Sequence, residues 1–194
     1  MAKLLPFLLF AVTLVCAQTK NAGNLELSLA PEAVLTLDLS SGDYRIEAGP
    51  DDKLVIKSQG KSSAERRKVH FGLNAGPQEA SVKVDGPQNF VATIQIPSNV
   101  SLNVRLNGGR LTMAHISGDK NIESNAGKLS IDVGRPEDYR TVEASVNVGA
   151  IDASAFHGSR SGALQSFNAN GPGKYHLRVH VGTGQIKLFT DEAI

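Results

Sequence analysis

Apolar and polar residues alternate along almost the whole of this chain, with a period of two and little trace of a helical repeat. Leu35, Leu37 and Leu39 are separated by Thr36 and Asp38, and Val69, Phe71 and Leu73 by His70 and Gly72. The same alternation carries Phe90, Ala92, Ile94 and Ile96, then Leu102, Val104 and Leu106. It returns in Leu129, Ile131 and Val133, in Val142, Ala144 and Val146, and in Leu177, Val179 and Val181. Successive side chains on a strand point to opposite faces, so each run predicts a strand with one buried face. Only 62–68 has a helical look, and it is short, uncapped and charged, which predicts a solvated turn. No Gly/Ser linker divides the chain, so one all-β domain is expected.

A six-residue frame recurs among these runs: core residue, polar residue, any residue, Gly, polar residue, core residue. It reads Leu39-Ser40-Ser41-Gly42-Asp43-Tyr44, Leu106-Asn107-Gly108-Gly109-Arg110-Leu111 and Ser124-Asn125-Ala126-Gly127-Lys128-Leu129. Two further copies are Val146-Asn147-Val148-Gly149-Ala150-Ile151 and Val181-Gly182-Thr183-Gly184-Gln185-Ile186. A type I′ hairpin would put Val148 or Thr183 at positive φ, where a β-branched side chain is a steric outlier. A type II bend asks for positive φ only where Gly stands. The frames therefore predict corners between consecutive strands, each turn stacking on the last as a single-domain parallel β-solenoid, with an antiparallel β-sandwich as the alternative. On this reading residues 18–32 are a lead-in and 33–97 the irregular wide end. Residues 98–190 form the tighter repeats and 191–194 a tail, with Thr190-Asp191-Glu192 capping the C-terminal end.

The stretch from Leu37 to Ile46, the strand end Ile94-Gln95-Ile96-Pro97 feeding Val100–Val104, and the turn Ile116-Ser117-Gly118-Asp119 carry a family likeness. With the Gly-cornered strands that follow, residues 25–190 resemble the bacterial "putative-adhesin", or head-group-like, β-solenoid domains of unknown function found in envelope proteins. The resemblance implies a β-helix-like fold and an extracytoplasmic role, and it brings no catalytic residues. The chain departs from the pattern in having fewer Ser-Gly-Asp corners.

The N-terminus adds a compartment. Lys3 precedes the apolar run Leu4–Leu14, and Val15-Cys16-Ala17 offers small residues at a signal-peptidase site, so residues 1–17 are expected to be a signal peptide cleaved after Ala17. The run holds 11 residues, against about 20 for a membrane span. Thr13 and Val15 stand where lipoprotein processing at Cys16 would need Leu and a small residue. Removal of 17 of the 194 residues leaves 177 without cysteine, so burial and hydrogen bonding hold the exported domain together. Of 20 basic residues only Lys3 leaves with the signal, giving 19 against 19 acidic and no basic stripe for nucleic acid.

Candidate chemistry is sparse. His176 and His180 stand four apart, a metal-binding interval on a helix. On a strand they are about 13 Å apart, while Zn–N bonds are about 2.0 Å, so a solvated face is expected. His70, His115 and His157 lie in separate segments, and a metal or hydrolytic site would need the fold to bring them together with a carboxylate. Gly171-Pro172-Gly173-Lys174 lacks the residues of a phosphate loop at Asn168 and Tyr175. Ser58-Gln59-Gly60-Lys61 lacks the helix and partner motifs of penicillin-interacting enzymes. Asp51 and Asp52 are neighbours in a Pro-led turn, not a pair facing across a substrate. Asn99-Val100-Ser101 is a sequon. There is no Trp, and of Tyr44, Tyr139 and Tyr175 the first and last fall on inward positions. The sequence thus predicts no catalytic, cofactor or metal residues. It predicts a non-enzymatic envelope protein, periplasmic or at the cell surface, serving adhesion, scaffolding or self-association. A module for an envelope glycan or cationic peptide is the alternative, and a hydrolase the third reading.

Overall fold

The computed structural model describes residues 18–191, apart from 22, 31, 60–66, 77, 88 and 115. The signal segment 1–17 with Cys16, most of the charged stretch 62–68, Gly60 and Lys61, His115 and Glu192 lie outside the described residues. Strands β1 (Gln18–Asn21), β2 (Asn24–Ser28), β3 (Val34–Leu39), β4 (Gly42–Ala48) and β5 (Lys53–Ser58) open the chain. Then follow β6 (His70–Ala75), β7 (Glu79–Asp85), β8 (Phe90–Ile96), β9 (Ser101–Leu106) and β10 (Gly109–Ala114). Four long strands complete it: β11 (Lys120–Asp132), β12 (Tyr139–Ala153), β13 (Gly158–Asn170) and β14 (Tyr175–Phe189). Among the described residues no helix is long and apolar enough to cross a membrane.

Four of the five predicted bends carry positive φ at Gly, but the expected corners between consecutive strands are found at only two of them, the other three lying inside continuous strands. β11, β12 and β14 each run straight through their glycine, while β3–β4 and β9–β10 break there. Gly109, Gly127, Gly149 and Gly184 have φ of 111°, 135°, 148° and 145°, and Gly42 bends without positive φ. Val148 and Thr183 keep ordinary φ. The glycines stand opposite one another as a ladder, Gly42–Gly109–Gly127–Gly184–Gly149–Gly162. A Cβ on Gly127 would lie 1.9 Å from the Gly109 carbonyl oxygen, and one on Gly184 1.8 Å from that of Gly127. Close backbone approach along the crease, as well as φ, therefore excludes any other residue.

The crease folds one 14-stranded sheet into two arms around a common core. The first arm is stacked β6–β7–β3–β9–β11–β14–β12–β13 and uses the N-terminal halves of β11, β12 and β14. The second contains β1–β2–β5–β8–β4–β10 and the other halves of the same long strands. Leu37, Val104, Ile122 and Val179 form one inward column of the first arm; Ile46, Met113, Ile131 and Leu188 form one of the second.

The expected parallel β-solenoid is overturned by the order and sense of the strands. The sheet is mixed, parallel through its middle but antiparallel at β1–β2, β2–β5, β5–β8, β6–β7 and β12–β13. Turns do not stack on their predecessors: β3 lies between β7 and β9, and β14 is inserted between β11 and β12. The result is a nearly closed, barrel-like wrap rather than a coil of successive rungs. Alternation dictates which face a strand buries but not which strand lies beside it. The antiparallel sandwich does not describe it either, since the central pairings are parallel.

The C-terminal cap also falls elsewhere. Thr190 and Asp191 follow β14, an interior strand, and so cover no open edge. The stack ends instead on β13, which returns antiparallel along β12. There Gln165 stands opposite Val146 and Arg160 opposite Ile151, two polar residues closing apolar columns at the edge. Arg160 is exposed there, and a charge on an edge strand deters a further chain from pairing.

Candidate functional site

An open groove of about 560 Å³ lies on the outer face of the first arm, against the crease. Its wall is a row of side chains from adjacent strands. Lys83, Asp38, Arg105, Glu123 and His180 stand opposite one another in that order on β7, β3, β9, β11 and β14. The Arg105 guanidinium lies 3.8 Å from Asp38 and 4.0 Å from Glu123, and Lys83 pairs with Asp85 at 3.1 Å. These are exposed pairs in water, so they order the face without binding the strands together appreciably.

Polar residues from the bends form the rim along the crease. Asn107, just past the end of β9, falls in register with Asn125, Gly182 and Asn147 on β11, β14 and β12. Asn107 donates through Nδ2 to Ser41 Oγ at 3.3 Å, and Asn125 donates to Asn107 Oδ1 at 3.0 Å. The amide ladder stops at Gly182, which has no side chain to continue it. A Cβ there would meet the Asn125 carbonyl oxygen at 2.5 Å. This position is the second residue of the repeat frame, so its Asn content is plain in the sequence. What the sequence withholds is the order Asn107, Asn125, Gly182, Asn147, because β14 enters out of turn.

The four described histidines lie on separate parts of the fold. His176 Nδ1 lies 2.6 Å from Thr141 Oγ1, and His180 Nδ1 lies 2.9 Å from Ser145 Oγ, each bonded across to β12. His70 stands on the edge strand β6, and His157 follows a 3-10 turn at φ 57°. Among the described residues no three His, Cys, Asp or Glu side chains gather as a metal set. Asp51 and Asp52 are exposed in the turn between β4 and β5. Gly171 and Gly173 bring the β13–β14 turn onto the backbone of 138–140, where Gly173 would place a Cβ 2.0 Å from the Asp138 carbonyl carbon. That contact, not a phosphate, explains the two glycines. Ser58 ends β5, and Asn99 is exposed between β8 and β9.

No tyrosine offers an exposed platform. Tyr44 is buried edge-on against Phe90, with its hydroxyl 3.2 Å from Ser40 Oγ. Tyr139 is buried edge-on to the partly buried Tyr175. It meets a feature that sequence reading passed over: Lys120, 2 % exposed, occupies an inward core position between Leu102 and Leu177. Its Nζ donates to Tyr139 Oη at 2.8 Å and to the Gly118 carbonyl at 3.0 Å. Burial pushes the ammonium down to about 8, against the upward pull of Asp119 and Asp132, and raises the Tyr139 phenol above its usual range. The signal was the alternation itself, since Lys120 stands two before the inward Ile122.

No protein-family model matches the chain, and no curated protein matches it. Comparison with solved structures finds the crystal structure of "a putative cell adhesion protein from Clostridium sporogenes ATCC 15579", with a TM-score of 0.55 at 13% identity. The match covers 85% of this chain and 97% of that one. It is a likeness of fold.

Proposed function

We propose that the chain is a non-enzymatic, exported envelope protein of adhesin-like type that holds a partner in the groove along its crease. One observation carries this reading. The groove is lined by amides and paired charges spaced at the strand repeat on a continuous sheet, a preorganised polar surface. The leader-like residues 1–17 and the cysteine-free remainder support export. The description of the Clostridium structure as a cell adhesion protein supports the role.

The test is co-sedimentation of the purified chain with isolated cell-envelope fragments. Saturable binding is expected, reduced about tenfold by the pair Arg105→Ala and Glu123→Ala, which breaks the charged row. Failure to bind any envelope fraction, or binding unaltered by that pair, overturns the reading.

A further inference from the structure

The interrupted ladder points to a ligand class, and this inference rests on the groove being the binding face. From Ser41 to Asn125 each amide nitrogen donates toward the Ser41 end. With its Nδ2 donating to Asn107 Oδ1, the Asn125 side chain keeps Oδ1 as its acceptor. No side chain among the described residues donates to that oxygen, and the Asn147 amide beyond the gap takes part in no side-chain bond of the ladder. Neighbouring strands are about 4.8 Å apart. Asn125 and Asn147 are therefore separated by about 9.6 Å, with one rung's width between them empty of side chain.

We propose that this notch binds the acetamido group of an N-acetylated amino sugar within a neutral glycan. The group missing from the ladder is a planar amide, one N–H donor and one C=O acceptor. An acetamido group supplies both: its N–H donates to Asn125 Oδ1, and its carbonyl accepts from Asn147 Nδ2. The remaining sugar hydroxyls, each donor and acceptor, meet the alternation of Asp38, Arg105, Glu123 and His180. A strongly charged ligand would meet both signs at once, and an apolar one would strip hydration from them all.

The probe is a trimer of N-acetylglucosamine, titrated into the isotopically labelled chain and followed by nuclear magnetic resonance. Saturable shifts of the Asn125 and Asn147 side-chain amides and the Gly182 backbone amide are expected. The glucose trimer, with hydroxyl for acetamido, should bind about tenfold more weakly, as should Asn147→Ala with the N-acetylated trimer. Both asparagines are exposed, so Asn147→Ala and Asn125→Ala keep the fold, which the unchanged remainder of the spectrum verifies. Absence of shifts, equal affinity for the two trimers, or full binding by Asn147→Ala would each overturn the assignment. If envelope fragments still bind saturably while the trimer does not, the notch assignment fails and the adhesin-like reading stands.

Discussion

Burial of Lys120 should make the stability of this protein rise with pH between about 8 and 10. Its ammonium is buried in a core column and titrates near 8, against 10.5 for a solvated lysine. Between those values the unfolded chain still holds the proton that the folded chain has released, so each step up in pH favours the fold. The full separation corresponds to about 3 kcal/mol, at roughly 1.4 kcal/mol for each tenfold change in proton affinity. From pH 7 to 9.5 the titration delivers about 2 kcal/mol of it. Above about pH 10 the direction reverses, because Tyr139 and Tyr44, both raised by burial, keep their protons in the fold when the unfolded chain loses them. The assay is urea unfolding at 25 °C at half-unit steps from pH 7 to 9.5, for the wild type and Lys120→Met. With a slope of about 2 kcal/mol per molar urea, the wild-type midpoint should climb about 1 M relative to the variant. Lys120→Met removes the ammonium and leaves Tyr139 Oη short of a donor, so its level at pH 7 decides nothing; the divergence does. Parallel curves across the range would refute the reasoning.

Three further outcomes follow from the crease and the edge. Gly127→Ala forces a Cβ into the Gly109 carbonyl at positive φ and should destabilise by more than about 3 kcal/mol, read as loss of a cooperative melt at 37 °C. Leu164 sits at φ 52° and is 82% exposed, so Leu164→Asn relieves left-handed strain and should raise stability by about 1 kcal/mol in urea unfolding. Arg160→Leu carries the apolar column of Ile151 to the open edge and should produce a concentration-dependent mass in light scattering, where the wild type stays constant.

The sequence made one level of this fold legible and concealed the next. Inward residues such as Leu37, Val104, Ile122 and Val179 were readable because period-two alternation assigns a face directly. The bends were readable because Val148 and Thr183 leave Gly as the only residue free to take positive φ. Neighbour order was not, since every copy of the frame presents the same faces and a similar bend, and several permutations bury equivalent columns. What breaks the degeneracy is held at the exceptions. Lys120 fits an inward slot where Tyr139 Oη accepts its hydrogen bond, and Arg160 and Gln165 suit β13 only to an edge.

The same permutation makes the candidate site. If β12 lay directly on β11, as a coil of successive rungs requires, Asn125 would stand opposite Asn147 and the amide ladder would close on itself. Insertion of β14 places Gly182 between them, and the Cβ clash with the Asn125 carbonyl excludes a side chain there. The notch therefore follows from a strand order that no local pattern encodes, while the residues that flank it belong to the most regular part of the sequence. A double substitution at the flanks, Asn125→Ala with Asn147→Ala, should leave the unfolding free energy within about 0.5 kcal/mol of the wild type, because both side chains are exposed and only one exposed hydrogen bond is lost. A loss of several kcal/mol would mean that the asparagines hold the crease together and that the open rung is a feature of folding rather than of binding.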